Sequence, residues 1–191
     1  MSLLIRLLLS LLPYCFYGCL SRVVSPEPPN PYSADYWGTI SALRNGKALQ
    51  NPRIWAATRT PCNEHAFDIF IAEFNDRGEE LVTFTLANIP QKACTLNQFR
   101  ADYKNLFCKT DTLGSALTAK VQAGFEGTYK PSPRGNQLVI ATFDSVRREI
   151  TGTFTLRLGI DQKQSASAPD SIKIQQGTFH TKLKGPGGKY E

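Results

Sequence analysis

Residues 149–158, EITGTFTLRL, put Ile150, Gly152, Phe154, Leu156 and Leu158 on one side of an extended chain and Thr151, Thr153, Thr155 and Arg157 on the other. Successive side chains of extended backbone leave opposite faces, so a period of two marks a half-buried strand. The preceding segment Gln137–Asp144 (QLVIATFD) is apolar on both sides and rich in β-formers. It predicts a strand inside the sheet, joined to its successor by a turn at Ser145–Arg148. The same alternation marks Ala66–Phe74, Glu80–Ala87, Ile172–Ile174 and Phe179–Leu183. Asp76-Arg77-Gly78 supplies one turn, and Asn45-Gly46 after Thr39–Leu43 supplies a tight hairpin step. This spacing predicts an all-β fold, an antiparallel β-sandwich or partly open β-barrel of about eight to ten strands.

One stretch competes with that pattern. In Thr95–Phe107, Leu96, Phe99, Tyr103 and Leu106 recur at helical spacing, and Thr95 with Gln98 matches a capping box, so one short helix is expected there. A continuous helix would hold Cys94 and Cys108 about 20 Å apart at 1.5 Å per residue, whereas a disulfide needs roughly 4.4 to 6.8 Å between Cα atoms. Helix and bridge therefore exclude each other. The candidate disulfide is Cys94–Cys108 with the helix broken; a pairing that involves Cys62, or three reduced cysteines, are the alternatives.

The first residues, MSLLIRLLLSLLPYCFYGC, carry Arg6 as a charged flank, an apolar centre at Leu7–Leu12 and a glycine before Cys19. The apolar run is far shorter than the roughly 20 residues that span a bilayer, and Pro13 interrupts it. Residues 1–18 therefore read as a lipoprotein signal peptide with Cys19 as the lipidated residue, plain secretion being the alternative. Residues 19–34 form a proline-rich spacer, 35–184 a single β-rich domain, and 185–191 a disordered tail. Lipidation at Cys19 makes the membrane the first partner, since acyl chains contribute about 0.8 kcal/mol per buried methylene.

The formal net charge is +6, but the basic residues are scattered among acids. No basic stripe interleaved with aromatics supports nucleic-acid binding, although anionic lipid headgroups or polysaccharide remain compatible. The chain has two histidines. Neither lies in a metalloprotease helix motif, and the sequence contains neither a GxSxG elbow nor a glycine-rich phosphate loop. Cys62-Asn63-Glu64-His65 gathers ligand-type residues without the second pair that a zinc site needs. No cofactor or metal is expected, and no catalytic residue is assigned.

The run from Tyr129 to Leu158, followed by Ile174 to Leu183, resembles the ending of a family of uncharacterised lipoproteins from Bacteroidota. In that family a strand ending in Asp leads through a turn into a Gly-Thr-Phe strand, and a second Gly-x-Phe strand closes the domain. The matching positions are Asp144, Gly152-Thr153-Phe154 and Gly177-Thr178-Phe179. The resemblance implies a lipid-anchored protein of the cell envelope. Leu20-Ser21-Arg22 stands where exported lipoproteins of that phylum carry acidic residues, which implies an outer-membrane protein facing the periplasm. The motif itself reads as packing: Phe154 and Phe179 enter the core, the threonines cover the outer face, and Gly152 and Gly177 make room for a ring or a bulge. The function expected is a noncatalytic binding or assembly module for an envelope protein or glycan. The alternative is a barrel that carries a small apolar ligand or lipid, and a hydrolase would require Glu64, His65 and His180 to converge in one cleft.

Overall fold

The alternation of β-branched and aromatic residues with threonines draws almost the whole domain into strands, and a computed structural model describes residues 36–59, 63–101, 116–121 and 127–184. The strands are β1 (Gly38–Arg44), β2 (Lys47–Ala48), β3 (Arg53–Arg59), β4 (Asn63–Phe74), β5 (Glu80–Pro90), β6 (Cys94–Leu96), β7 (Ala116–Val121), β8 (Gly127–Pro131), β9 (Gln137–Asp144), β10 (Glu149–Lys163) and β11 (Ser171–Lys184). The segments read as signal peptide, spacer and tail, with Cys19, lie outside the described residues.

The strands form one sheet in the order β2-β1-β11-β3-β4-β5-β7-β8-β10-β9-β6, and an additional β10–β11 ladder turns it back on itself. Every ladder is antiparallel except the short parallel bridge Leu183↔Ala56 and Lys184↔Ala57 between β11 and β3. The result is all-β, a curled, partly open barrel with β2–β1 and β9–β6 as side flaps. Long β10 makes the curl possible because its outer edge is shared: Glu149–Thr155 pairs with β9 and Leu158–Lys163 with β8. Where those two ladders part, the Asn136 side chain takes over. Its oxygen accepts from Arg157 N at 2.8 Å, its Nδ2 donates to Ser132 O at 2.7 Å, and Ser132 N donates to Arg157 O at 2.8 Å.

Inward faces meet in one contiguous core that includes Ile54, Phe67, Ile69, Phe84, Leu86, Ile140, Leu156 and Ile174. Among the described residues the core runs from Ala42 to Leu183. Two buried carboxylates are satisfied by local geometry. Glu73 on β4, with a side chain 3 % exposed, accepts from Arg44 Nε at 2.6 Å and Nη2 at 3.1 Å, and from Gln50 N at 3.0 Å. Asp68 accepts from Asn88 N at 2.8 Å, where Asn88 takes a positive φ and β5 slips register against β4.

Two expectations need correction. The expected helix does not form where the chain is described: Cys94–Leu96 is a strand that pairs with β9, and the residues after it up to Ala101 are non-helical. The edge of β9 offers unpaired backbone groups, and pairing with them while Leu96 and Phe99 reach the core outweighs a local helical periodicity. Segment β9 does lie inside the sheet, between β10 and β6, with Leu138 and Ile140 buried and Ala141 and Thr142 exposed. Finally, Ile172–Ile174 and Phe179–Leu183 are one strand. A bulge opposite Thr155, with Gln176 at φ 53°, switches the buried set from Ile172 and Ile174 to Gly177, Phe179 and Leu183.

Candidate functional site

The two Gly-Thr-Phe runs are partners in one ladder. Gly152 faces Phe179, Thr153 faces Thr178, and Phe154 faces Gly177. A Cβ on Gly177 would stand 2.6 Å from Phe154, and one on Gly152 would stand 2.7 Å from Phe179 and closer still to Val139 O. Each glycine thus leaves room for the ring of the facing strand, and the rings pack 6.2 Å apart at 52°. The threonines leave the opposite face of the sheet.

There they join rows of mostly hydroxyl-bearing side chains running across β1, β11, β10 and β9, interrupted by His180 and Val139. One row is Thr39, His180, Thr151 and Thr142; the next is Ser41, Thr178, Thr153, Val139 and, on β6, Thr95. Neighbouring hydroxyls bond across strands, Ser41 to Thr178 at 2.8 Å and Thr142 to Thr151 at 2.6 Å. Such a face offers hydrogen-bond donors and acceptors at the regular strand spacing of about 4.8 Å with little charge. It can hold a polar surface, with four of its hydroxyls bonded in pairs.

His180 stands inside the first row, between Thr39 and Thr151. Its Nε2 lies 3.1 Å from Glu149 Oε2, and its ring meets Trp37 edge to face at 5.2 Å. Thr181 Oγ1 donates to Trp37 O at 2.8 Å, which fixes the start of β1 to the end of β11. The other histidine, His65, stands 3.8 Å from Glu64, both strongly exposed. Each histidine therefore has its own glutamate, and Glu64, His65 and His180 do not gather as a hydrolase would require. Among the described residues, no three His, Cys, Asp or Glu side chains come together as metal ligands. The sequence reading missed Trp37 and Glu149, since no local spacing links them to His180.

Asp144 is an exposed turn residue, not a core one. Its Oδ1 accepts from Val146 N and Arg147 N, each at 2.9 Å. Those amides, Arg147's first, together with the Arg147 charge, hold its carboxyl below the usual range. Arg148 closes the turn at φ 59°, accepts from Leu183 N at 2.7 Å and donates from Nη2 to Lys184 O at 3.1 Å. Val146, at the tip, is 90 % exposed. Cys94 is a free, half-buried thiol whose pKa burial raises, against the lowering pull of Lys92. Its candidate partner Cys108, like Cys62, lies outside the described residues.

No protein-family model matches the chain, and no curated protein and no solved structure matches it.

Proposed function

We propose that this chain is a cell-envelope lipoprotein, anchored to a membrane through Cys19, whose β domain serves as a noncatalytic binding or assembly module. The observation that carries the reading is the outward wall of β1, β11, β10 and β9. There, rows of threonine and serine hydroxyls stand on strands pinned from behind by reciprocal Gly–Phe packing. A rigid polar sheet face suits recognition of another polar surface, an envelope protein or a glycan, because little ordering entropy remains to be lost on binding. The inward positions already hold a contiguous set of large side chains, which favours a module acting through its surface over a carrier acting through its interior. The signal segment and the resemblance to Bacteroidota lipoproteins support an outer-membrane position facing the periplasm.

The test is metabolic labelling with a palmitate analogue, comparing the native chain with Cys19→Ala and fractionating the membranes. Label on the native chain alone, with the mutant released from the membrane fraction, is the expected result. Label that persists in Cys19→Ala overturns the anchor assignment. Cross-linking from cysteines placed at Thr153 and Thr178 then identifies what the hydroxyl face meets.

A further inference from the structure

The outer wall of β10 and β11 changes chemistry along its length. Thr151, Thr153 and Thr155 on β10, with Thr178, Gln176 and Gln175 on β11, give way to Arg157 and Lys173, which are direct partners in the ladder. Like charges opposite each other on one face, with Cβ atoms roughly 5 Å apart, destabilise a sheet unless an anion lies between them. Both side chains are exposed, and among the described residues neither has an acidic partner. Neighbouring Lys130 is already paired with Asp161 at 2.9 Å. Arg157 is propped in place, since a Cβ on Gly135 in the turn before β9 would stand 3.4 Å from its Nε. The next outward position after Arg157 is Gly159, paired with Ser171 on one side and Lys130 on the other. A Cβ there would meet nothing within 4 Å, and Gly159 is not among the glycines at positive φ. Unlike Gly152 and Gly177, it makes room for no ring; it leaves the wall without a side chain beside two cations. A glycine inside a strand weakens it, and close approach by a ligand is one reason to keep one there.

An outward notch bordered by a guanidinium, an ammonium and the Ser171 hydroxyl has the donors that a carboxylate accepts from. The rows of hydroxyls and amides farther along the same wall match the hydroxyls of a sugar chain. A protein partner needs aromatic or apolar anchors, and a single-stranded nucleic acid needs exposed ring faces to stack on. The two hydroxyl rows hold one apolar side chain, half-buried Val139, and one histidine whose ring already meets Trp37. We infer that the wall binds an acidic polysaccharide, with a carboxylate of the sugar chain seated at Gly159 against Arg157 and Lys173. The inference rests on the binding-module reading above and narrows its partner from a protein or glycan to an anionic glycan.

The full chain in nonionic detergent is titrated into fluorescein-labelled oligogalacturonate, and separately into its methyl ester, with polarisation as the readout. Binding is expected to the free acid alone and should weaken as salt rises. Arg157→Gln and Lys173→Gln should each weaken it about tenfold, the scale of a hydrogen bond to a charged group. Gly159→Thr should weaken it at least as much without lowering the melting temperature, because threonine suits a strand, repeats the chemistry of the wall and removes only the space. Arg77→Gln, which removes the same charge at the exposed turn between β4 and β5, should leave binding unchanged. Equal binding of the methyl ester, unchanged binding by Gly159→Thr or by Arg157→Gln with Lys173→Gln, or a matching loss with Arg77→Gln overturns the inference. Equally tight binding to phosphatidylglycerol vesicles or to single-stranded DNA overturns it too. A protein cross-linked at Thr153 and Thr178 would keep the wall as an interface while removing the glycan, and the label at Cys19 decides the anchor by itself.

Discussion

The Phe179 ring lies over Gly152 while the Phe154 ring, two residues along the facing strand, lies over Gly177, so that two identical tripeptides fill each other's gaps. The exchange is not quite symmetric. The three atoms nearest a Cβ on Gly177 all belong to the Phe154 ring, whereas the atom nearest one on Gly152 is the backbone oxygen of Val139.

That asymmetry predicts different rescue. Gly177→Ala should destabilise by about 1–3 kcal/mol through overpacking, and Phe154→Leu should recover part of that loss by vacating the space. Gly152→Ala should cost at least as much and gain little from Phe179→Leu, because a carbonyl of the sheet cannot move aside. Urea denaturation of the two double-mutant cycles measures this; equal coupling in both would contradict the geometry.

The Arg44–Glu73 pair joins the β1–β2 hairpin to β4. Arg44→Met leaves a carboxylate in the interior with only the Gln50 N–H as partner. Because Arg44 is itself 34 % exposed, the expected cost is discounted to about 2–4 kcal/mol. Adding Glu73→Leu removes the stranded charge and should restore more than half of that. A double mutant no more stable than Arg44→Met would show that the pair contributes through something other than burial of charge.

Asp144 makes the stability of the β9–β10 turn depend on pH. Its folded pKa is depressed, so its contribution is fully present above the unfolded carboxylate value of about 3.9 and is lost as pH falls through the lower folded value. Asp144→Ala should therefore lower the melting temperature at neutral pH, and the gap to the native chain should narrow below about pH 4. A gap that stays constant across a melting series from pH 7 to pH 2 would place the effect elsewhere.

Regular alternation was legible wherever register ran undisturbed. Segment Gln137–Asp144 coincides with β9, and Asn45-Gly46 turns β1 into β2 with both residues at positive φ. What escaped were places where distant chain decides. The bulge at Gln176 makes β11 read as two pieces, because an inserted residue inverts the period without any local marker. Leu96 and Phe99 keep helical spacing, yet Cys94–Leu96 follows the edge of β9, a partner 40 or so residues away that no local window includes. The His180–Glu149–Trp37 contact depends on ends of β1, β10 and β11 coming together, which only topology supplies.

Asn136 offers the last test, because it stands where β10 changes partner from β9 to β8. Without its side chain, Arg157 N–H and Ser132 C=O would face each other's surroundings with no partner at the fork in the sheet. Asn136→Ala should therefore cost about 1–3 kcal/mol, since two backbone groups lose their partner in a part-buried site. Asn136→Asp separates the two roles: it can still accept from Arg157 N but sets a carboxylate against the Ser132 carbonyl. Amide exchange should accordingly accelerate at Arg157 in the alanine variant and much less in the aspartate variant, although both are destabilised. Equal acceleration in the two would mean that the fork is held by the neighbouring ladders, and that the curl of the sheet does not depend on this one amide.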